Sequence, residues 1–472
     1  MFAINAFDDT IAAISTPLGE GGIGIVRLSG RDAIRIAGRI FRSPKNRKLT
    51  GTESHRIIYG FIIDPSTNAT IDEVLVSIMH APNTYTREDI VEINCHGGLL
   101  PLRKALELVL NNGARLAEPG EFTRRAFLSG RIDLSQAEAV IDIIKAKTEA
   151  SRKIAIEQLS GSLSEKITSL RDSITKLCAH IEAYIDFPED DIEPASKDLI
   201  SDGVRSVRHE LSLLSESFEE GRFFREGIKV AIVGKPNVGK SSLLNALLKR
   251  DRAIVTEMPG TTRDVLEEYL NIKGLPVRVM DTAGIRETHE MAEREGVLRS
   301  LRAIEDADIV IGVIDGSSHL SDEDLNVLSR LRDYKIIIAL NKSDLSPAED
   351  IIKKLEAYSA NIVMLSAKTG LGLDILKERI VDVAIKHPSS STLSVSHETA
   401  AGILVTNVRH KTAIDNAIKA LDRTSDVLVS RRPLEIVAIE LRDALDRLGE
   451  IVGAVTTEDI LNTVFSEFCI GK

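Results

Sequence analysis

The sequence has little cysteine and no long hydrophobic run. Its three cysteines, Cys95, Cys178 and Cys469, are odd in number and far apart, which excludes a disulfide framework and indicates a reducing compartment. Its apolar runs are far shorter than the roughly 18 residues of a membrane-spanning helix, and its first residues lack the basic region of a signal peptide. We therefore expect a soluble, cytoplasmic protein without a membrane anchor.

An excess of positive charge is also missing. The formal net charge is −11 and the pI about 5.6, which argues against a broadly basic nucleic-acid-binding surface. A local basic patch, or a partner that makes most of the contact, stays open. The 472 residues are enough for about three domains, each with a substantial core.

The most informative motif lies in the middle of the chain. Residues 234–241 read Gly-Lys-Pro-Asn-Val-Gly-Lys-Ser, a complete phosphate-binding loop, between a strand-like run at 228–233 and a helix-favouring segment at 242–249. In such a loop, backbone N–H groups surround phosphate oxygens, Lys240 reaches the β- and γ-phosphates, and Ser241 offers its hydroxyl to Mg²⁺. The contacting residues would be Asn237, Val238, Gly239, Lys240, Ser241 and Ser242.

Four further signals follow in the order that a GTPase requires. Thr262 lies in a loop that can close on Mg²⁺ and the γ-phosphate, and a strand then leads to Asp281, Thr282, Ala283 and Gly284. A buried run ends in Asn341, Lys342, Ser343 and Asp344, whose last carboxylate can accept hydrogen bonds that guanine donates and adenine does not. Ser366 and Ala367 supply backbone contacts to the base. Five motifs in this order predict a guanine-nucleotide domain.

One position departs from the Ras pattern. Ras-like switches place a glutamine after the Asp-x-x-Gly element to orient the attacking water, and Ile285 stands there in this chain. Glu293 is a candidate for that task, or else a solvated carboxylate in the first turn of a helix. A monovalent cation could supply positive charge near the side-chain carbonyl of Asn237, although asparagine also suits a turn.

Two helical regions flank the nucleotide domain. Apolar residues alternate spacings of four and three from Leu163 to Tyr184, and the pattern returns from Val437 to Ile451. Because neither stripe can stay uncovered, we infer that the two regions pack together and that a doubly wound α/β domain is inserted between them. The predicted domains are 1–128 (α/β), 129–227 (first helical segment), 228–384 (nucleotide-binding) and 385–472 (second helical segment).

Residues 1–128 contain two weaker motifs. Gly19–Gly24 matches a dinucleotide fingerprint, but a β-branched run follows it instead of a helix, which favours a turn between strands. Cys95 and His96 are adjacent but have no matching ligand cluster, which argues against a metal site.

Taken together, the chain resembles the MnmE (TrmE) tRNA-modification GTPases. The resemblance is carried by the GTPase motifs and by short signatures near both ends of the chain. These signatures are Asp9-Thr-Ile11, Pro17–Gly24, Glu88-Asp89, His96-Gly-Gly98, Pro119-Gly-Glu-Phe122, Arg125-Ala-Phe127 and Phe468–Lys472. The family implies a multidomain fold with an N-terminal α/β tetrahydrofolate-binding domain, an α-helical bundle, and an inserted Ras-like P-loop GTPase domain.

The resemblance also implies a reaction. Family members form a homodimer and a heterotetramer with the FAD-containing partner MnmG, and install an aminomethyl-type group at C5 of the wobble uridine of certain tRNAs. The one-carbon donor is 5-formyl- or 5,10-methylene-tetrahydrofolate, with contacts implied at Arg27, Glu92, Arg131 and Lys472. Arg131 stands where relatives often have lysine, which changes a point charge into a planar fork.

The family implies ions at the GTPase site as well. Potassium would contact Asn237, Thr256, Met258 and Thr261, and Mg²⁺ would contact Ser241 and Thr262. Glu293 would orient water as the catalytic residue. Cys469 matches a family cysteine once proposed as catalytic, but a small buried hydrophobe is as good an interpretation, because little near it would lower a thiol pKa.

Two alternatives compete with this assignment. A ribosome-assembly GTPase of the Era or EngA kind shares the central motifs but would carry an RNA-binding module after them, and residues 385–472 contain no G-x-x-G loop. A membrane-tethered switch would need a lipid signal or a basic amphipathic face, and the sequence offers neither.

Overall fold

The computed structural model describes residues 8–186, 197–251, 268–280, 304–345, 349–385, 403–430 and 432–472. Within these ranges the chain forms an α/β head domain, a helical bundle and a second α/β domain.

The head domain is built on a seven-stranded sheet in the order β3-β4-β5-β6-β2-β1-β7. Helices α1 and α2 pack on one face of this sheet, where Val26 and Ile93 of the strands share a core with Leu102 of α2. Side chains point to alternate faces along a strand, so every second strand residue can enter this core. The strands are β1 (Ile11–Ile14), β2 (Gly21–Ser29), β3 (Phe41–Arg42), β4 (Arg56–Ile63), β5 (Thr70–Met79), β6 (Ile90–Gly97) and β7 (Arg115–Leu116). The helices are α1 (Ala33–Ile40), α2 (Leu99–Asn111) and α3 (Glu121–Leu128). The predicted turn between strands is confirmed in part, because β1 and β2 pair as an antiparallel hairpin and Gly19 lies in the connection between them. Gly21–Gly24, however, form the first residues of β2.

The helical bundle unites segments from both sides of the nucleotide domain. Its long helices are α6 (Ser162–Asp186), α7 (Lys197–Glu216), α13 (Val408–Val429) and α14 (Leu434–Val452). The predicted stripes are buried in one shared core, where Ile167 and Ile174 of α6 lie with Leu441 and Leu448 of α14. The predicted insertion is therefore confirmed: the apolar face of each half is covered by the other half.

Shorter helices connect the bundle to the other two domains. They are α4 (Leu134–Lys145), α5 (Glu149–Leu159), α8 (Phe218–Glu226) and α15 (Glu458–Ser466). Phe465 of α15 packs with Ala126 and Leu134 in a small core that joins the head to the bundle. Phe223 of α8 lies in the core of the nucleotide domain, while Arg225 of the same helix donates to Asp142 at 2.8 Å. Helix α8 thus links the bundle to the first strand of the nucleotide domain.

The nucleotide domain has a six-stranded sheet in the order β13-β12-β11-β8-β10-β9. Only the edge pair of β9 and β10 is antiparallel, so the remaining strands end at the same edge of the sheet. The strands are β8 (Ile228–Val233), β9 (Glu268–Ile272), β10 (Leu275–Met280), β11 (Ile309–Asp315), β12 (Ile336–Asn341) and β13 (Ile362–Met364). The helices are α9 (Lys240–Asp251), α10 (Asp322–Arg330), α11 (Glu349–Leu355) and α12 (Leu373–Ile385). The predicted doubly wound domain is confirmed.

Candidate functional site: a nucleotide site and a head-domain site

The phosphate loop connects the end of β8 to the start of α9. Its backbone takes positive φ angles at Asn237 (66°) and Gly239 (102°), and an added Cβ at Gly239 would collide with the Asn341 amide. The Lys240 ammonium donates to the carbonyl oxygens of Gly234 and Lys235, both at 2.9 Å. Burial lowers the pKa of Lys240. The loop is thus already curled around the amine that would meet a phosphate.

Asn341 joins the phosphate loop to the loop that follows β13. Its side-chain amide donates to the Val238 carbonyl at 2.8 Å, and its side-chain oxygen accepts from the Ala367 N–H at 2.9 Å. The residue is 2% exposed. One buried side chain therefore connects three of the motifs that the sequence assigned to nucleotide binding.

The residues predicted to recognise the base lie beside it. Asp344 is in a short 3₁₀ turn, Ser343–Leu345, and a hydrogen bond from Ser366 lowers the pKa of its exposed carboxyl. The carboxylate is therefore ionised at neutral pH and only accepts hydrogen bonds, as a guanine edge requires. Lys342, at φ 65°, donates to Asp315 at 2.6 Å.

Several residues of the predicted GTPase site fall outside the described ranges. These are Thr256, Met258, Thr261, Thr262, Asp281, Thr282, Ala283, Gly284 and Glu293. The strand that leads to Asp281 is described: β10 runs parallel to β8, with Met280 opposite Ala231. It ends at the sheet edge where the phosphate loop begins. Ser241 and Ser242 are in the first turn of α9.

A second group of predicted residues meets on the head domain. Arg27 of β2 stands opposite Glu92 of β6, and its Nε donates to the Glu92 carboxylate at 2.8 Å. Its Nη1 also donates to the Gly471 carbonyl at 3.4 Å. Burial, reinforced by the nearby Arg27 charge, lowers the pKa of Lys472. Three residues predicted from distant regions of the sequence thus share one site.

Two aromatic rings that were not predicted as site residues lie beside these arginines. The Arg131 guanidinium lies over the Tyr85 ring, 4.8 Å from its centroid, and the Arg27 guanidinium is 5.7 Å from the Phe122 centroid. Burial raises the pKa of Tyr85, and the charges of Arg131 and Arg27 oppose that shift. Arg131 is thereby placed on the same side as Arg27. Phe122 is in the Pro-Gly-Glu-Phe signature, which was a usable signal, whereas nothing in the local sequence pointed to Tyr85.

The chain from Cys469 to Lys472 is seated on the head domain. Ile470 forms an isolated antiparallel bridge with Pro119, and Gly471 has φ 98° with Ile14 so close that a Cβ would not fit. Cys469 is exposed, so its interpretation as a small buried hydrophobe is wrong.

The other cysteines are interior residues. Burial raises the pKa of Cys95 to about 12 and that of Cys178 to about 11, which makes both poor nucleophiles. Within the described ranges, no cluster of three or more histidine, cysteine, aspartate or glutamate side chains could hold a metal ion. Among the helices that the structure describes, none is both long and apolar enough to cross a membrane.

Comparison with known proteins gives concordant matches over nearly the whole chain. Residues 134–469 match the MnmE helical domain, and residues 10–131 match the N-terminus of the GTP-binding protein TrmE. The chain is 49% identical over 467 residues to a tRNA modification GTPase MnmE of Acetivibrio thermocellus, covering 98% of this chain and 99% of the relative. It is 48% identical to that of Desulforamulus reducens (98% and 100% covered) and 46% identical to that of Clostridioides difficile (98% and 99% covered).

Proposed function

Because the chain belongs to the MnmE family of tRNA modification GTPases, we propose that its GTP hydrolysis drives one defined reaction. That reaction is the installation of a (carboxymethyl)aminomethyl group at C5 of the wobble uridine of certain tRNAs, in the cytoplasm. A reduced folate, 5-formyl- or 5,10-methylene-tetrahydrofolate, supplies the carbon atom when bound at the head-domain site. An FAD-containing partner, MnmG, completes a heterotetramer with two copies of this chain.

The observation that carries the folate proposal is the Arg27–Glu92 pair under the Gly471 carbonyl. A carboxylate can accept hydrogen bonds from the amide and amino edge of a pterin, and cations suit the glutamate tail of a folate. Arg27 and Glu92 are about one-fifth exposed, so the pair is shielded yet reachable. Lys472 and Arg131 add positive charge beside it.

Calorimetric titration with 5-formyl-tetrahydrofolate tests this proposal on the full chain. Arg27→Ala should weaken binding at least tenfold, because it removes one cation and releases the Glu92 charge. Arg35→Ala, which removes an exposed arginine paired with Asp32 in the same domain, should leave binding unchanged. GTP hydrolysis measured in parallel should be the same in all three proteins. Absence of saturable binding to the unaltered chain would refute the folate assignment.

The open face of the head-domain sheet supports the homodimer. Arg27 and Glu92 point to the face opposite α1 and α2, and so do four apolar side chains by strand register: Ile23, Ile57, Tyr59 and Leu75. These four are 66%, 66%, 47% and 46% exposed. A second copy of the same face would cover them, as exposed apolar patches of this kind often require. Ile57→Asp should convert the dimer to a monomer in sedimentation; a monomeric unaltered chain contradicts the proposal.

At the GTPase site we propose cation-assisted hydrolysis. Ile285 replaces the glutamine that orients water in Ras-like proteins, so Glu293 takes that task, and K⁺ at Asn237, Thr256, Met258 and Thr261 supplies positive charge. Ser241 at the start of α9, together with Thr262, would hold Mg²⁺, which prefers such oxygen ligands. Closure of two nucleotide domains across the dimer would bring these groups together at the cation-assisted site.

Two measurements test the hydrolytic proposal. The rate in K⁺ should exceed that in Na⁺ at equal ionic strength, and equal rates would remove the potassium site. Glu293→Ala should lose turnover and keep nucleotide affinity. Unchanged turnover would return Glu293 to the role of a solvated helix carboxylate.

A further inference from the structure

The second residue of the phosphate loop, Lys235, is tied to a different element of the nucleotide domain. Its ammonium donates to the Asp324 carboxylate at 2.7 Å and to the Ser321 hydroxyl at 3.1 Å. Both partners begin α10, the helix that follows β11. The Asp324 side chain is 2% exposed and that of Lys235 is 21% exposed, so this is a largely buried charge-assisted contact.

Asp324 is ionised and needs this cation. Burial raises the pKa of its carboxyl, but hydrogen bonds from Lys235 and Ser321 outweigh that effect and lower the pKa below the usual value. Lys235 is the only cation within ion-pair distance of Asp324 in the described regions of the chain. Asp324 also caps α10, since its Oδ2 accepts from the Ser321 N–H at 3.0 Å. The position of the Asp324 carboxylate is therefore set by the helix, and the Lys235 ammonium binds it there.

The loop is consequently held from two sides. Lys240 donates to the backbone carbonyls of Gly234 and Lys235, and the side chain of Lys235 reaches away from Lys240 to α10. Asp315, the last residue of β11, accepts from Lys342 of the predicted base-recognition motif. The end of β11 and the start of α10 thus contact both predicted nucleotide-binding segments through lysines.

We propose that Lys235 is a positioning residue for GTP binding, which acts by latching the phosphate loop to the start of α10. The loop backbone includes left-handed residues and would otherwise have to be ordered when the nucleotide binds. Holding it beforehand removes that cost. Because its ammonium is bound to Asp324, Lys235 affects the nucleotide through the conformation of the loop. GTP and GDP should need the same loop conformation.

This role predicts that loss of the Lys235–Asp324 contact weakens GTP binding and GDP binding equally. Lys235→Met should raise the Kd of GTP and of GDP by the same factor, about tenfold, which corresponds to about 1.4 kcal/mol. The kcat at saturating GTP should stay within twofold, since the ground state and the transition state lose the same contact. Lys235→Arg retains a donor for Asp324 and should restore most of the affinity.

The experiment measures Kd with fluorescent guanine nucleotides, kcat and KM in steady state, and the unfolding temperature of each full-length variant. Lys335→Met is the matched control, an exposed lysine of the same domain that forms no ion pair with any described residue. Asp324→Asn should weaken both nucleotides as well, and Lys235→Met/Asp324→Asn should be no weaker than the worse single variant, because both remove one contact.

Three results would overturn the proposal. Unchanged Kd values in Lys235→Met would mean that the loop needs no latch. A fall in kcat at unchanged Kd would assign Lys235 to the reaction itself. A lowered unfolding temperature with a reduced active fraction, and normal Kd for the remainder, would make the contact a purely structural one.

Discussion

Replacing Glu138 by glutamine should loosen the joint between the two halves of the helical domain. Glu138 of α4 is buried, and its carboxylate accepts from Arg409 at 2.8 and 2.9 Å and contacts His410 Nε2 at 2.6 Å. Arg409 also donates to the Ile451 carbonyl at 3.1 Å, at the end of α14. The Glu138 carboxylate, which precedes the inserted domain in the sequence, therefore binds Arg409 and His410, which follow that domain.

The magnitude follows from the pKa of this carboxyl. Burial alone would raise it, but the charges of His410 and Arg409 outweigh burial and lower the pKa of Glu138 from 4.5 to about 2. The lowering of the pKa from 4.5 to about 2 corresponds to roughly 3 kcal/mol of stability. Because the folded pKa is depressed, this contribution is fully present above the unfolded pKa of 4.5 and is lost as the pH falls toward 2.

Urea unfolding of the full chain, followed by the helical circular dichroism signal, measures the difference between the original protein and Glu138→Gln. We expect roughly 3 kcal/mol at pH 7, nearly the same at pH 5, and roughly 1 kcal/mol at pH 3. Glu157→Gln, which alters an exposed glutamate of α5, serves as the control and should show little difference. A difference that stays constant from pH 7 to pH 3, or that is absent at pH 7, would refute the reasoning.

Three further changes test the nucleotide domain and the bundle. Asn341→Ala should lower the free energy of unfolding by about 1–3 kcal/mol and weaken GDP binding, because the Ala367 N–H and the Val238 carbonyl lose their buried partner. Thermal unfolding and nucleotide titration check the two effects, and normal values in both would contradict the bridging role of Asn341. Asp344→Asn should exchange guanine preference for xanthine preference, and a variant that still prefers GTP over XTP counts against the assigned base contact. Leu441→Ala should destabilise the bundle by about 2–5 kcal/mol, since its side chain is fully buried; a loss below about 1 kcal/mol in urea unfolding would show that the core closes over the cavity.

The phosphate loop shows how much a local pattern can predict. The strand, the loop and the helix from Ile228 to Asp251 are consecutive, and the motif needs only backbone angles and neighbouring N–H groups to form its site. The helical stripes were equally readable, because a period near 3.6 marks a buried face wherever its cover comes from. That the cover comes from residues more than 200 positions away followed only indirectly, from the need to bury both stripes.

The contacts of the head-domain site could not be derived from local sequence patterns. Arg27 meets Glu92 because β2 and β6 pair in one register, and a slip by one residue would turn Arg27 to the opposite face of the sheet. Motif resemblance nominated both residues, whereas their contact, the Tyr85 ring beneath Arg131 and the seat of Gly471 are products of folding.

The sequence by itself determined that this protein binds a guanine nucleotide and where in the chain it does so, since that chemistry is written in contiguous residues at strand ends. Only the tertiary structure decided which of its many charged side chains become partners, as with Lys235 and Asp324. The physical reason is that ion pairs between elements depend on strand order and helix placement, which arise from burying apolar surface over the whole chain.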